Sequence, residues 1–231
     1  MQTIHRANER GTSNLDWLQS KFSFSFANYY NPQRIQFGAL RVFNDDTIAQ
    51  HTGFDNHPHE NMEIITVITS GTLTHKDNTG NTEVLKAGDV QVMSAGTGIV
   101  HSEYNNENTP LTLFQIWIFP NKKNILPRYD QKRFDKKEFV NTLCTVVSGN
   151  KNEGLFINQD AKISRGIVDR NKKRIYEVQK SKGVFILIID GSVKIHEIIL
   201  QKRDSIEITK TEKVEITFLE KSDVLIIEVP I

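Results

Sequence analysis

Three of the seven histidines in this chain fall in two tight clusters, His57-Pro-His59 and His101-Ser-Glu103. Residues i and i+2 of a β-strand point to the same face, so each cluster sends two donors in one direction. Two such strands side by side would bring four donors to one point. Imidazole is the commonest metal ligand and sits about 2.0–2.1 Å from zinc. Three histidines and a carboxylate leave a position free on a metal that accepts five or six ligands, which is the mark of a catalytic site. The set His57, His59, His101 and Glu103 is therefore expected to hold one divalent transition metal. A lone His-x-His is more often a loop accident; the second cluster gives the first its meaning.

Other candidates are weaker. Glu63 lies four residues past His59 and shares its strand parity if no bulge intervenes, which makes it a reserve ligand or a structural acid. His5, His51, His75 and His196 have no partner at ligand spacing and read as surface or core histidines. Cys144 is the single cysteine, fits a reducing compartment, and beside Val146 and Val147 reads as a buried, inert thiol. Gly96-Thr-Gly98 ahead of His101 allows a tight turn, and it lacks the Gly-Lys-Ser/Thr ending of a phosphate loop.

The elements that must position these residues are mostly strands. A chain with 38% hydrophobic and 25% charged residues is an ordinary globular one, and a net charge of +1 provides no field for nucleic acid. The basic stretches Lys122–Lys137 and Arg165–Lys182 also contain acids and carry no base-reading motif, so no direct nucleic-acid binding is expected. No apolar run approaches the ~20 residues of a membrane helix, and Met1–Arg10 has no apolar core; the expectation is a cytoplasmic protein without a membrane contact. Phe22–Phe26, Phe37–Val42, Glu63–Ile68, Leu111–Phe119, Val184–Ile189, Ile195–Leu200, Val214–Leu219 and Val224–Val229 all read as short strands between turn residues. Only Asn14–Gln19 and Lys136–Asn141 read as short helices. This is an all-β pattern of sandwich or barrel type.

A faint repeat relates Glu63–His75 to Val184–His196, each with a strand ending at a glycine, Gly71 or Gly191, and each followed by a Leu and an Asp four residues on. The chain is therefore read as two related barrels: 1–125 with the metal, 126–140 as linker, and 141–231 without metal ligands. Counted without gaps, the four ligand positions become Glu177, Gln179, Ile216 and Phe218 in the second copy. That predicts one metal per chain. A barrel pair that covers its own apolar faces is expected to be a monomer.

At these residues the chain resembles the pirin family of the cupin superfamily, and within it the bacterial pirin-like quercetin 2,3-dioxygenases. The first cupin motif reads Gly53-Phe-Asp-Asn-His57-Pro-His59-Glu-Asn-Met-Glu63, with Gly71 after it. The second reads Gly88-Asp-Val-Gln-Val-Met-Ser-Ala-Gly96 and then His101; Ser94 replaces the usual proline and the gap to the histidine is longer, departures that pirins share along with the His-x-Glu ending. Ser23–Tyr30, Leu40–Asp46, Met93–Gly98, Gln115–Ile118 and Pro127–Tyr129 are also pirin-like. The likeness is dense from Ile4 to Phe134 and thin beyond.

The resemblance implies a bicupin, two tandem double-stranded β-helix (jelly-roll) barrels with a few short helices, with metal held by His57, His59, His101 and Glu103. It implies opening of the flavonol central ring with O2 and loss of carbon monoxide. The metal would act as Lewis acid on the flavonol 3-hydroxyl, and Glu103, beside the metal and able to swing off it, would take the proton. Iron is the first choice of metal; nickel, manganese, copper, zinc and cobalt suit the same donors. A zinc sugar isomerase would need several cations at the site, and the motifs offer Arg41 and Lys76 at most. A non-catalytic, redox-sensing regulator that binds a partner through a metal-dependent surface is the reading from another class.

Overall fold

The computed structural model describes all 231 residues. Its first half contains β1 (Gln2–His5), β2 (Gly11–Asn14), β3 (Leu18–Phe22), β4 (Leu40–Ile48), β5 (Thr52–His59), β6 (Glu63–Ser70), β7 (Thr72–Asp77), β8 (Thr82–Lys86), β9 (Asp89–Ser94), β10 (Ile99–Asn105), β11 (Leu111–Ile118) and β12 (Arg128–Arg133). A one-turn helix, α1 (Lys136–Phe139), leads to ten further strands between Cys144 and Pro230.

These strands build four sheets. A seven-stranded sheet in the order β12-β9-β6-β11-β4-β3-β2 faces a four-stranded sheet in the order β5-β10-β7-β8. The second half repeats the plan, with a seven-stranded sheet and a four-stranded sheet made of Lys173–Glu177, Lys213–Phe218, Ser192–Ile195 and Ile198–Gln201. Each half is thus a two-sheet jelly roll of cupin type rather than one closed ring of strands.

The two large sheets stack on one another. Phe43, Ile65, Val67, Phe114 and Ile116 of one meet Val147, Ile163, Phe185, Leu187, Leu225 and Ile227 of the other in a core of 26 buried residues. Both faces of the second large sheet are covered, and its central run Val184–Ile189 is apolar and buried throughout. The other faces look into the jelly rolls. Leu73 and Leu85 pack there against Ile48, Ile68, Leu111 and Leu113 in the first, and Phe218 and Ile216 against Ile186, Ile206 and Ile226 in the second.

The structure differs from the sequence reading in several local places. Asn14–Gln19 is no helix: it spans a hairpin turn, closed by two hydrogen bonds between Leu15 and Leu18. The alternation Leu18-in, Gln19-out, Ser20-in, Lys21-out, Phe22-in is the strand period, and it overrides any local helical preference. The strand expected over Phe22–Phe26 stops at Phe22, and the one expected over Ile195–Leu200 is broken by a turn at His196, which adopts a positive φ of 51°. The stretch 126–140, expected as a linker, contributes β12 to the edge of the first large sheet and then α1, capped by Asp135 and Glu138. Conversely β1, assigned by sequence to the first barrel, pairs with Ser205–Ile208 at the edge of the second large sheet, in the place that β12 holds in the first.

Candidate metal centre

β5 and β10 lie side by side and antiparallel, with His101 opposite His57 and Ile99 opposite His59. A bulge follows His101, so that Glu103 pairs with Phe54 rather than Asp55. Gly53 makes the close approach possible: a Cβ there would run into the Glu103 carbonyl and Tyr104. The ligand atoms of His57, His59 and His101 all lie within 4.8 Å of one another. The ring centroids of His57 and His101 are 4.3 Å apart, and those of His59 and His101 are 5.0 Å apart.

The ring nitrogens could hold a metal. His57 Nδ1–H donates to the Asp55 carbonyl at 2.7 Å, which leaves Nε2 with its lone pair. His101 is 1% exposed, and its Nε2 has no hydrogen-bond partner in the protein. Burial, and then the neighbouring His57, lowers His59 to about 4. Burial followed by repulsion from the other histidines lowers His101 to about 2. Both are therefore neutral at neutral pH, the form that binds metal.

Glu103 is handled differently. Its Oε1 accepts from Gln91 Nε2 at 2.7 Å and lies 3.4 Å from the Thr66 hydroxyl, and its Oε2 accepts from Gln115 Nε2 at 2.9 Å. The three partners stand in one row across β9, β6 and β11, since Thr66 pairs with both glutamines. Burial pushes the carboxyl up to about 7, against the pull of these hydrogen bonds. Glu103 shares a donor group with His75 and His101, not with His57 and His59. So three of the four expected donors converge, and the fourth is tethered one step away through His101. The tether also opposes the free swing expected of it.

His75 is the member that sequence reading missed as a neighbour of the site. It is fully buried on β7, opposite Glu103, with Asp77 opposite His101. Its signal was the same i, i+2 parity, His75-Lys-Asp77, that marked the other clusters. Glu63 joins neither donor group. A turn through Asn61, at φ 47°, ends β5 and passes the chain to the other sheet, so parity does not carry from His59. Glu63 is buried, accepts from Ser94 Oγ at 2.8 Å and from Asn158 Nδ2 at 3.2 Å, and so links the first barrel to the second. Of the other histidines, His5 is buried against Glu207 and His51 is exposed beside Asn108. Cys144 is half-buried against the core; burial and then Glu138 raise its thiol, keeping it protonated and unreactive.

Phe54 neighbours His57, and Trp117 stands edge-on to His59 at 4.9 Å, so two aromatic rings flank the histidines. A cleft of about 460 Å³ between the barrels, bordered by Phe134, Phe139, Arg165 and Asp223, includes none of the histidines. No helix is long and apolar enough to cross a membrane.

In the second barrel the ladder shifts. Ile216 stands opposite Arg174, and Val214 opposite Tyr176. The positions equivalent to His57 and His59 are thus Arg174 and Tyr176, not Glu177 and Gln179. The reason is length: Gly71 follows His59 by twelve positions, whereas Gly191 follows Tyr176 by fifteen. Ile216 and Phe218 keep the places assigned to them, both fully buried.

Comparison with known proteins adds the following. The family model "Pirin" matches residues 3–118, and "Quercetinase C-terminal cupin domain" matches residues 145–229. The chain is 41% identical over 229 residues to a quercetin 2,3-dioxygenase of Escherichia coli strain K12, with 98% of both chains covered. It is 41% identical over 197 residues to a pirin-like protein of Caulobacter vibrioides, covering 84% of this chain and 85% of that one. Its fold superimposes on bacterial pirin YhhW in complex with nickel(II), from Escherichia coli, with a TM-score of 0.94 at 39% identity, covering 100% of this chain and 99% of that one.

Proposed function

The chain belongs to the pirin family, and from that premise we propose that it is a metal-dependent dioxygenase that opens the central ring of a flavonol such as quercetin with O2. The observation that carries this reading is the buried, unpartnered Nε2 of His101 gathered with the ligand atoms of His57 and His59. A neutral imidazole nitrogen in that setting has no role in packing, and three together suit a transition metal.

We assign His57, His59, His101 and Glu103 as the ligands. A divalent transition metal held by these residues would supply a Lewis acid that lowers the pKa of the flavonol 3-hydroxyl. Iron is the first choice, and nickel is supported by the relative solved with it. The rest of the work falls to this chain's side chains. Glu103 accepts the 3-hydroxyl proton. Oε1 accepts from Gln91 and faces Thr66, while Oε2 accepts from Gln115 alone and keeps a lone pair free without any swing. A carboxylate near neutrality is well matched to that task. Trp117 and Phe54 offer apolar faces to a flat aromatic ligand beside His59 and His57. The second barrel supplies no donors and supports the first through the shared core.

The test is oxygen uptake with quercetin, using protein reloaded separately with iron, nickel, manganese, copper, zinc or cobalt, and His101→Ala as control. Uptake that requires both the metal and His101 is expected. Absence of uptake from every fully loaded form would overturn the enzymatic reading and leave only the metal centre.

A further inference from the structure

Resting on the metal centre proposed above, we infer that Asp77 and His75 are positioning residues that fix the tautomer and ring orientation of His101. Asp77 and His75 are i and i+2 on β7, both side chains are 0% exposed, and they face His101 and Glu103 across the ladder. The Asp77 Oδ1 accepts from the Thr79 N–H at 2.8 Å, the Thr79 hydroxyl at 2.6 Å and the Asn81 N–H at 3.2 Å. Its Oδ2 accepts from Asn81 Nδ2 at 2.9 Å. A carboxyl group surrounded by that many donors has no call for a proton of its own and acts as an acceptor only.

The contact between Asp77 Oδ2 and His75 Nε2, at 2.9 Å, must therefore have its proton on His75. A neutral His75 protonated at Nε2 presents a bare lone pair at Nδ1. That atom lies 3.5 Å from Nδ1 of His101. This is the long end of a hydrogen bond, and its direction is decided by the partner: His101 must donate from Nδ1. The remaining nitrogen of His101 is then the unprotonated one. It is Nε2, the buried atom without a partner in the protein. Tyr129 stacks on the His75 ring, with centroids 4.5 Å apart and planes 27° from parallel, and so fixes the plane from which this order is read.

The two ladder-paired histidines thus reach the same tautomer by different devices. His57 uses a carbonyl two residues away in its own strand, while His101 uses a side-chain relay from the neighbouring strand. In the second barrel the residues opposite Ile216 and Phe218 are Ile195 and Val193, so the relay and its target are absent together. Metal-binding histidines characteristically direct their second nitrogen to such a partner, whose loss costs about 10–100-fold in metal affinity.

The experiment is long-range 15N NMR of histidine-labelled, metal-free protein, followed by titration with Co(II) monitored by its visible absorption. In the wild type the expected pattern is His101 protonated at Nδ1 and His75 at Nε2. In Asp77→Asn the amide keeps its oxygen on the turn and offers an N–H to His75, which reverses the relay and places a proton on His101 Nε2. Co(II) affinity should then fall about 10–100-fold while circular dichroism and Tm report a folded protein. His75→Phe keeps the ring stack on Tyr129 but removes the acceptor, and should leave His101 as a mixture of tautomers with a smaller loss of affinity. The inference is overturned if wild-type His101 is protonated at Nε2, or if Asp77→Asn changes neither tautomer and binds Co(II) within about twofold of wild type. A wild type that binds no Co(II) sinks the metal-centre reading instead, and the tautomers of the metal-free protein still decide the relay.

Discussion

Two barrels with one strand plan have opposite interiors. Across β9, β6 and β11 the first places Gln91, Thr66 and Gln115 in a row facing Glu103. At the same ladder positions the second places Ile206, Ile186 and Ile226, in the core that also holds Phe218. His101 and Glu103 are answered by Ile216 and Phe218, and the Asp77 and His75 opposite them by Ile195 and Val193. The second barrel shows that the fold needs no polar group at any of these places. Burying them costs stability unless each is hydrogen-bonded, and a buried carboxyl costs more than an amide. The fold itself thus does not require the polar row of the first barrel, and the second barrel, apolar at these places although it buries Tyr176, Ser164 and Glu228 elsewhere, is its reference.

Phe218→Ala should cost about 3–5 kcal/mol in chemical denaturation, through lost burial and a cavity, while leaving metal content unchanged. A fall in metal content at undiminished stability would contradict the division of roles. On the polar side, His101→Ala should reduce metal affinity by more than about 100-fold, beyond the loss typical of an outer-shell partner, with metal per chain measured by elemental analysis.

Next comes a pH test. Asp46 is pushed up to about 7 by burial, reinforced by Asp45 and Glu103 and opposed by a bond from Ser20; its ladder position in the second barrel is held by Gly166. Its folded carboxyl holds a proton more tightly than the unfolded chain does. The folded state is thus favoured below the ordinary carboxylate range and loses that advantage as pH rises towards 7. The opposite sign applies to His59 and His101, whose lowered values favour the folded state above the ordinary histidine range. Asp46→Asn should therefore gain on metal-free wild type by up to about 3 kcal/mol between pH 4 and 7. A flat difference across that window would remove Asp46 from the account.

Smaller effects sharpen the picture. Gln115→Ile gives the first barrel its counterpart's residue and leaves Glu103 Oε2 without its donor, for a loss of about 1–3 kcal/mol. Glu63→Gln should cost about 1 kcal/mol and leave metal content untouched, since Glu63 bonds to Ser94 and Asn158 rather than to the histidines. Metal loss in that variant would return Glu63 to the ligand set.

The sequence by itself determined the all-β class, the two related barrels and the two clusters, His57 with His59 and His101 with Glu103, whose members share a strand face. Each of these rests on the two-residue period of a strand, which is local, or on motif residues close together in the chain. Only the tertiary structure decided the rest, because strand pairing joins residues that sequence distance does not relate. Register placed His75 and Asp77 beside His101 and Glu103, and a turn at Asn61 moved Glu63 to another sheet. Three extra residues slid Arg174 and Tyr176 into the ladder places expected for Glu177 and Gln179. Edge completion gave β1 to the second large sheet and drew β12 from the expected linker into the first. A one-residue slip in pairing turns every side chain to the opposite face, so the fine arrangement of the site depends on contacts across the sheets, which local pattern does not encode.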